Sequence, residues 1–318
     1  MARKSKATSR RTKVEITPAD YRFPGETGVY WTAVASIFIL FVWVVAMFLI
    51  FKRQASGLPD PRFAYLFLWP LAAVFLANYF SAKPRQEQLK KAGRQARVMP
   101  GTHGELYTLV TQCSQFLGLR KPPDLYIVHD DAAYIFSIPG RQGSIIASRP
   151  LQDALTQEQF LGLVAREIGL LSAHDVRVWI AITWIQNTSL GVRIGLLPLW
   201  LMSMFMRGWT DLVDYTGDRA AVLVVGEVTL NLALLKQAIA RDPQADISQE
   251  DLETYLQGAT DLSADGPQLE RHYRIGSFIG TRPDLRERIE QIRDFRGTDQ
   301  GRAAFEKAAQ LRNGLSHA

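Results

Sequence analysis

From Gly28 to Phe51 the chain runs for 24 residues without an Asp, Glu, Lys, Arg or His. Coiled as a helix this stretch would reach about 36 Å, more than the ~30 Å hydrocarbon core of a bilayer. A second uncharged run, the 20 residues from Phe63 to Ala82, carries Tyr65, Trp69 and Tyr79 among its aromatics and a Pro70 that neighbouring spans can accommodate. Between them, Lys52 to Arg62 contains Gly57, Pro59 and Pro61, the composition of a short turn whose Lys52 and Arg53 can snorkel toward water. The pattern predicts a transmembrane helical hairpin. The first run is too long for the apolar region of a cleavable signal peptide and lacks a small-residue cleavage site.

Charge orients the hairpin. Arg3, Lys4, Lys6, Arg10, Arg11 and Lys13 precede the first run, and Lys83, Arg85, Lys90, Lys91, Arg94 and Arg97 follow the second, which predicts a cytoplasmic location for both ends. Residues 1–97 hold 16 Lys/Arg against 5 Asp/Glu, a balance of +11, whereas residues 98–318 hold 21 against 26, a balance of −5. The basic residues therefore flank the apolar runs rather than coat a folded face, which argues for a lipid surface and against nucleic acid as partner. The single cysteine, Cys113, excludes an internal disulfide framework and is consistent with a reducing compartment.

A third apolar region, Val176 to Met206, is interrupted by Gln186, Asn187, Arg193 and Pro198. It fits a re-entrant or interfacial helix pair, two poor spans, or core, and it is expected to contact the membrane rather than cross it. The remaining chain reads as helix, small sheet, then helices. Helical spacing covers Glu105 to Leu117, stopped by Pro122-Pro123; Leu125 to Val128, Tyr134 to Phe136 and Ser144 to Ala147 read as short strands, the last two separated by the turn signal Pro139-Gly140. Thr156 and Gln159 form a capping box for a helix over Gln157 to Ser172. One long helix is expected over Asp211 to Ala240, with shorter ones over Ser248 to Gly258 and Asp284 to Phe295, the latter opened by Pro283 at its first position. The tail from Thr298 is polar and helical in composition. The predicted organisation is a basic cytoplasmic segment (1–27), the hairpin (28–82), a basic juxtamembrane linker (83–104), an α+β, mainly helical domain with a small β-sheet (105–297), and a C-terminal tail (298–318).

The stretch Gly162-Leu163-Val164-Ala165-Arg166-Glu167-Ile168-Gly169-Leu170 resembles the active-site helix of the membrane zinc endopeptidases of the HtpX and CAAX-prenyl-protease type, where the motif reads His-Glu-x-x-His. Upstream, Pro123 to Ile127, Ala133 to Ser137 and Gly143 to Ser148 look like the strand, edge strand and strand that lead into that helix. Downstream, Asp214 to Ala221 looks like the family's Glu-Ala-Asp helix, and Gly280-Thr281-Arg282-Pro283 with Arg286 to Ile289 looks like its Thr-His-Pro segment. The likeness spans about residues 105 to 295, and the hairpin fits the HtpX type. It implies a metallopeptidase-like domain in an integral protein of the bacterial inner membrane, with the N-terminus and C-terminal domain cytoplasmic.

The resemblance also implies a zinc ion held by two imidazoles one helical turn apart and a carboxylate from a second helix, with the intervening Glu as general base toward bound water. This chain departs from that set. Arg166 stands at the first ligand position and Leu170 at the second, Thr216 aligns with the third, and Arg282 replaces the Thr-His-Pro histidine; Glu167 and Asp218 remain. A guanidinium stays protonated and an isobutyl group has no lone pair, so neither holds a metal. The histidines His103, His129, His174, His272 and His317 form no ligand-spaced pair, no nucleophile-elbow pattern supports Ser/His/Asp catalysis, and Gly140, Gly143 and Gly191 form no phosphate cradle.

The expectation is therefore a degenerate, catalytically inactive member, a pseudopeptidase, with no metal and no cofactor, and with Arg166, Glu167, Leu170, Thr216, Asp218 and Arg282 as a vestigial site. In it Arg166 or Arg282 would pair with Glu167 or Asp218. Such a chain would serve as an adaptor, assembly factor or structural subunit of a membrane protein complex, engaging the bilayer and another membrane protein through the hairpin. The alternative is a zinc-dependent membrane endopeptidase with a non-standard ligand set.

Overall fold

The computed structural model describes residues 15–35, 38, 96–138, 143–172, 206–241 and 285–315. The expected spans lie outside these residues except for 28–35 and 38, which are helical; so do the 176–206 region apart from Met206, the helix expected over Ser248 to Gly258, and Arg282 and Pro283. Among the described residues no helix is long and apolar enough to cross a membrane.

The chain enters through a short helix α1 (Pro18–Tyr21), opened by Thr17, whose amide and hydroxyl both donate to Asp20 Oδ2 at 2.8 and 2.9 Å. A helix α2 follows over residues 26–35. Helix α3 (Gly104–Phe116) leads to a three-stranded sheet of β1 (Asp124–Val128), β2 (Ile135–Ile138) and β3 (Ser144–Ser148). The order is β1-β3-β2: β3 pairs parallel with β1, placing Leu125 beside Ile145, and antiparallel with β2, placing Ile135 beside Ala147. The edge strands bury alternate residues, Leu125 and Ile127 on β1 and Ile135 and Ser137 on β2. Central β3 buries Ile145, Ile146, Ala147 and Ser148 in succession, as a strand covered on both faces should.

From β3 the chain passes through α4 (Arg149–Ala154) into α5 (Gln157–Ser172). The capping box at its start is present in both directions: the Gln159 amide donates to Thr156 Oγ1 at 3.3 Å, and the Thr156 amide donates to Gln159 Oε1 at 3.1 Å. Every residue from Gly162 to Leu170 is buried, so α5 is the axis of the body rather than a one-sided amphipathic helix. Its main neighbour is α6 (Arg207–Val225), buried without interruption from Val213 to Leu223. Two glycines set their separation. A methyl group at Gly169 would fall 2.5 Å from Ala220 Cβ, and one at Gly217 would meet Leu170 Cγ at 3.0 Å and the Arg166 carbonyl at 3.1 Å. Only hydrogen at both positions permits this crossing.

The single helix expected over Asp211 to Ala240 is two. Gly226 adopts φ 84°, a left-handed value that glycine takes freely, and its amide closes on the Val222 carbonyl; α7 (Glu227–Arg241) then starts afresh. Helix α8 (Leu285–Gly297) packs on α6 and buries Ile289, Ile292 and Phe295, each buried side chain of this size contributing roughly 1.5–3 kcal/mol. The polar tail forms α9 (Asp299–Leu315), whose Ala304 and Ala308 are buried in the main core. Arg312 of α9 donates through Nη2 to the Leu223 and Val224 carbonyls at 2.6 and 3.1 Å, satisfying acceptors that the end of α6 leaves open.

Candidate functional site

Residues four apart on a helix share a face, so α5 turns positions 166 and 170 together toward α6, and α6 turns Asp214 and Asp218 together toward α5. At this crossing Arg166, 1% exposed, spreads its guanidinium over three carboxylates. Nε donates to Asp218 Oδ1 at 3.0 Å, Nη1 donates to Glu167 Oε1 at 2.8 Å, and Nη2 donates to Asp214 Oδ1. Arg288 arrives from α8 and grips Asp218 with both prongs, Nε to Oδ2 at 2.8 Å and Nη2 to Oδ1 at 2.6 Å. Glu167, Asp214 and Asp218 are at most 1% exposed and Arg288 8%. Burial alone would push the Arg166 pKa down, but the charges of Asp214, Asp218 and Glu167 outweigh it and raise the pKa.

Of the residues singled out in the sequence, Arg166, Glu167 and Asp218 come together as a bonded cluster, with Arg166 pairing to both acids. Leu170 lies beside them, fully buried against Gly217, and supplies only packing. Thr216 is not part of the group. Two residues from Asp214 and two from Asp218, it is turned to another side of α6, where its hydroxyl donates to Glu26 Oε2 at 2.6 Å and accepts from the Phe23 amide at 2.9 Å. The α6 carboxylate that faces position 166 is Asp214. Arg282 lies outside the described residues.

The structure adds Asp214, Arg288 and Glu26, which the sequence motifs do not single out. The spacing Asp214-x-x-x-Asp218 inside an otherwise buried helix was the available signal for the first, since two acids on one buried face demand a cation. Arg288 sits on the same side of α8 as the apolar residues Ile289, Ile292 and Phe295, a weaker signal. For Glu26 the sequence offers only that it is the last charge before the apolar run.

Beside this cluster Asp211, one turn before Tyr215, has its carboxyl pushed up to about 7, by burial first and then by the Asp214 charge, with Arg207 opposing and Glu287 adding. Tyr215 is also raised, by burial and by its hydrogen bond to Glu287. Of the histidines, His103 precedes α3 half-buried and His129 is exposed after β1; His174, His272 and His317 lie outside the described residues.

A zinc ion does not fit these side chains. At position 166 a protonated guanidinium already fills the space between the carboxylates and bonds Asp214, the α6 carboxylate, and at 170 there is no donor atom. Among the described residues no group of three or more His, Cys, Asp or Glu side chains is placed to hold a metal. Glu167 is 1% exposed, and its Oε1 accepts from Arg166 Nη1.

The fold and this crossing define a mainly helical body in which a small mixed sheet precedes a central helix, the layout expected from the peptidase resemblance. In sequence the chain is similar to a Thermoplasma volcanium protein named Protease HtpX homolog, 25% identical over 224 residues, covering 67% of this chain and 64% of that protein. The chain thus spans less than two thirds of that relative's length. This distant likeness supports a relationship to the HtpX type. No family model matches the chain, and no solved structure matches it.

Proposed function

We propose that this chain is a membrane-anchored, catalytically inactive relative of the HtpX-type peptidases that works by binding, as an adaptor, assembly factor or structural subunit beside another membrane protein. The observation that carries the reading is Arg166: the first metal-ligand position holds a buried guanidinium bonded to Glu167, Asp214 and Asp218. A cation that is part of the side chain does the neutralising that a metal would otherwise do, and it offers no open coordination position for water. The hairpin of Gly28 to Phe51 and Phe63 to Ala82 anchors the chain, with the N-terminus and body cytoplasmic, and supplies the lateral surface for the partner.

The test is a pair of lesions read in native membranes. Deleting the hairpin abolishes association with the partner captured by crosslinking in mild detergent, whereas Glu167→Gln leaves association and the cellular phenotype intact. Stoichiometric zinc with chelator-sensitive cleavage of unfolded membrane substrates, lost in Glu167→Gln, would instead establish an endopeptidase with a non-standard ligand set.

A further inference from the structure

Three arginines are buried among the described residues: Arg166, Arg219 and Arg288. Arg166 and Arg288 end on carboxylates. Arg219 follows Asp218 in α6 but is turned about 100° from it, and meets no carboxylate among the described residues. Its guanidinium, in a residue 4% exposed, lies 4.2 Å from the centre of the Phe23 ring and 4.6 Å from that of Phe295. Ring faces attract its charge but leave its edge N–H groups without an oxygen. Nη1 donates to Gln300 Oε1 of α9 at 3.3 Å, a long bond to a neutral acceptor, and Nε is buried with no acceptor. Burial pushes the guanidinium down to about 10, with no carboxylate opposing it. Gln300 also links this residue to Arg22: its Nε2 donates to the Arg22 carbonyl at 2.9 Å, and Arg22 Nε is likewise buried with no acceptor.

If stacking on the rings were its whole purpose, Arg219 would still carry the penalty of buried donors left unmet, which an apolar side chain of similar length avoids. An oxyanion supplies what is lacking, a negative charge and in-plane acceptors at the spacing of the fork. The cover over the fork is one side chain thick, since Phe23 and Gln300, which touch it, are themselves half-buried, and Pro24 and Gly25 are exposed. Two guanidiniums without carboxylates match a phosphoryl monoester, which carries about −1.5 to −2 charges at neutral pH, better than they match a single carboxylate. We infer that Arg219, with Arg22 beside it in the entering segment, is a binding site for a phosphoryl group. The site lies at the foot of the first apolar run, where Val29 and Trp31 of α2 are 38% and 61% exposed, so the group comes either from a lipid headgroup or from free phosphate. The lipid source alone rests on the membrane-anchored reading.

The test titrates the full chain in dodecyl maltoside, at constant ionic strength, with inorganic phosphate and separately with dihexanoyl phosphatidic acid, a phosphate monoester on short acyl chains. The native chain binds, and Arg219→Met, which keeps an unbranched stem without the charge, binds at least about tenfold more weakly. Should that variant not fold, Arg219→Lys, which keeps the charge without the fork, shows the same loss. Phosphatidic acid bound about tenfold or more tighter than inorganic phosphate, with the difference lost in the variant, assigns the site to a headgroup; a smaller difference assigns it to free phosphate. A native chain that binds neither probe, or a folded variant that binds as the native chain does, overturns the site and leaves the adaptor reading to the hairpin deletion.

Discussion

Replacing Arg166 by Met keeps much of the side-chain volume and removes the charge, leaving Glu167 and Asp214 buried without the guanidinium that meets them and Asp218 with Arg288 alone. Breaking a buried ion pair by removing one partner costs about 3–5 kcal/mol, because the partner left behind remains desolvated. Here two carboxylates are stranded at once, so the cost sits at the upper part of that range. For a body of this size roughly 2–4 °C of melting temperature is lost per kcal/mol, which gives a fall on the order of 10 °C or more. Thermal unfolding in detergent, followed by circular dichroism, measures it. The cause is tested in the same assay. Adding Glu167→Gln and Asp214→Asn to Arg166→Met removes the stranded charges and raises the melting temperature above that of the single variant, although the triple chain has lost more native bonds. A single variant that melts within about 2 °C of the native chain, or a triple variant that melts below the single, would refute the view that uncompensated burial of charge governs this crossing.

Asp211 gives the pH dependence. Its carboxyl is held protonated up to about 7 in the folded chain against an ordinary value of 3.8, so the folded state binds the extra proton and stability falls as pH rises from about 4 to about 7. Asp211→Asn flattens that slope in melting curves across the window, and an unchanged slope would mean that the group is not buried as described. For metal binding, Arg166→His with Leu170→His acquires stoichiometric zinc by elemental analysis, with native Asp214 as the α6 carboxylate, while either substitution alone acquires none. Adding Thr216→Glu brings no gain, because it sets a second carboxylate against buried Glu26; zinc in the native chain at the same ratio would count against this. Gly169→Val sets a Cβ 2.5 Å from that of Ala220, forces the two helices apart and lowers stability by about 1–3 kcal/mol in the same thermal assay, where no change would mean that the α5–α6 crossing relaxes freely.

Local order in the body was legible because each element carries its own signal. The three β-rich runs lie on the three strands within a residue or two, and Thr156 with Gln159 marked the start of α5. The break in the long second helix was not read, although Gly226 was visible, since a glycine inside an apolar pattern is compatible with either continuation or a cap until its φ is known. The pairing of Arg166 with Glu167 and Asp218 followed from the rule that a buried charge needs a partner. Motif text places Thr216 at the crossing, whereas the structure places Asp214 there. Helical geometry turns a residue two positions along by about 200°, and so selects Asp214, four before Asp218. The docking of Ile16 to Glu26 on the body had no local signal at all, because it depends on partners more than ninety residues away, among them Leu117, Ser172, Thr216 and Gln300.

The cluster also explains why the acids of the crossing can persist where the two imidazoles of the resemblance do not. Three carboxylates buried at one crossing need cations and directional hydrogen bonds among them, because each has lost its water. Arg166 and Arg288 provide two positive charges, one from each side of Asp218, and the fixed fork of each guanidinium supplies the directional bonds that a buried carboxylate requires. Glu167 and Asp218 are then held by the needs of the α5–α6 crossing itself, with no catalytic role required to keep them. Their presence is therefore weak support for hydrolysis, and the identity of residues 166 and 170 is the stronger discriminator. A homologous chain with Arg at the first position should carry acids at positions equivalent to 214 and 218 and a second guanidinium from α8, whereas one with His at both ligand positions is free to lack that second guanidinium. Measuring zinc content and melting temperature together in chains of both kinds separates metal-held from arginine-held crossings, since a chelator lowers the melting temperature only of the first.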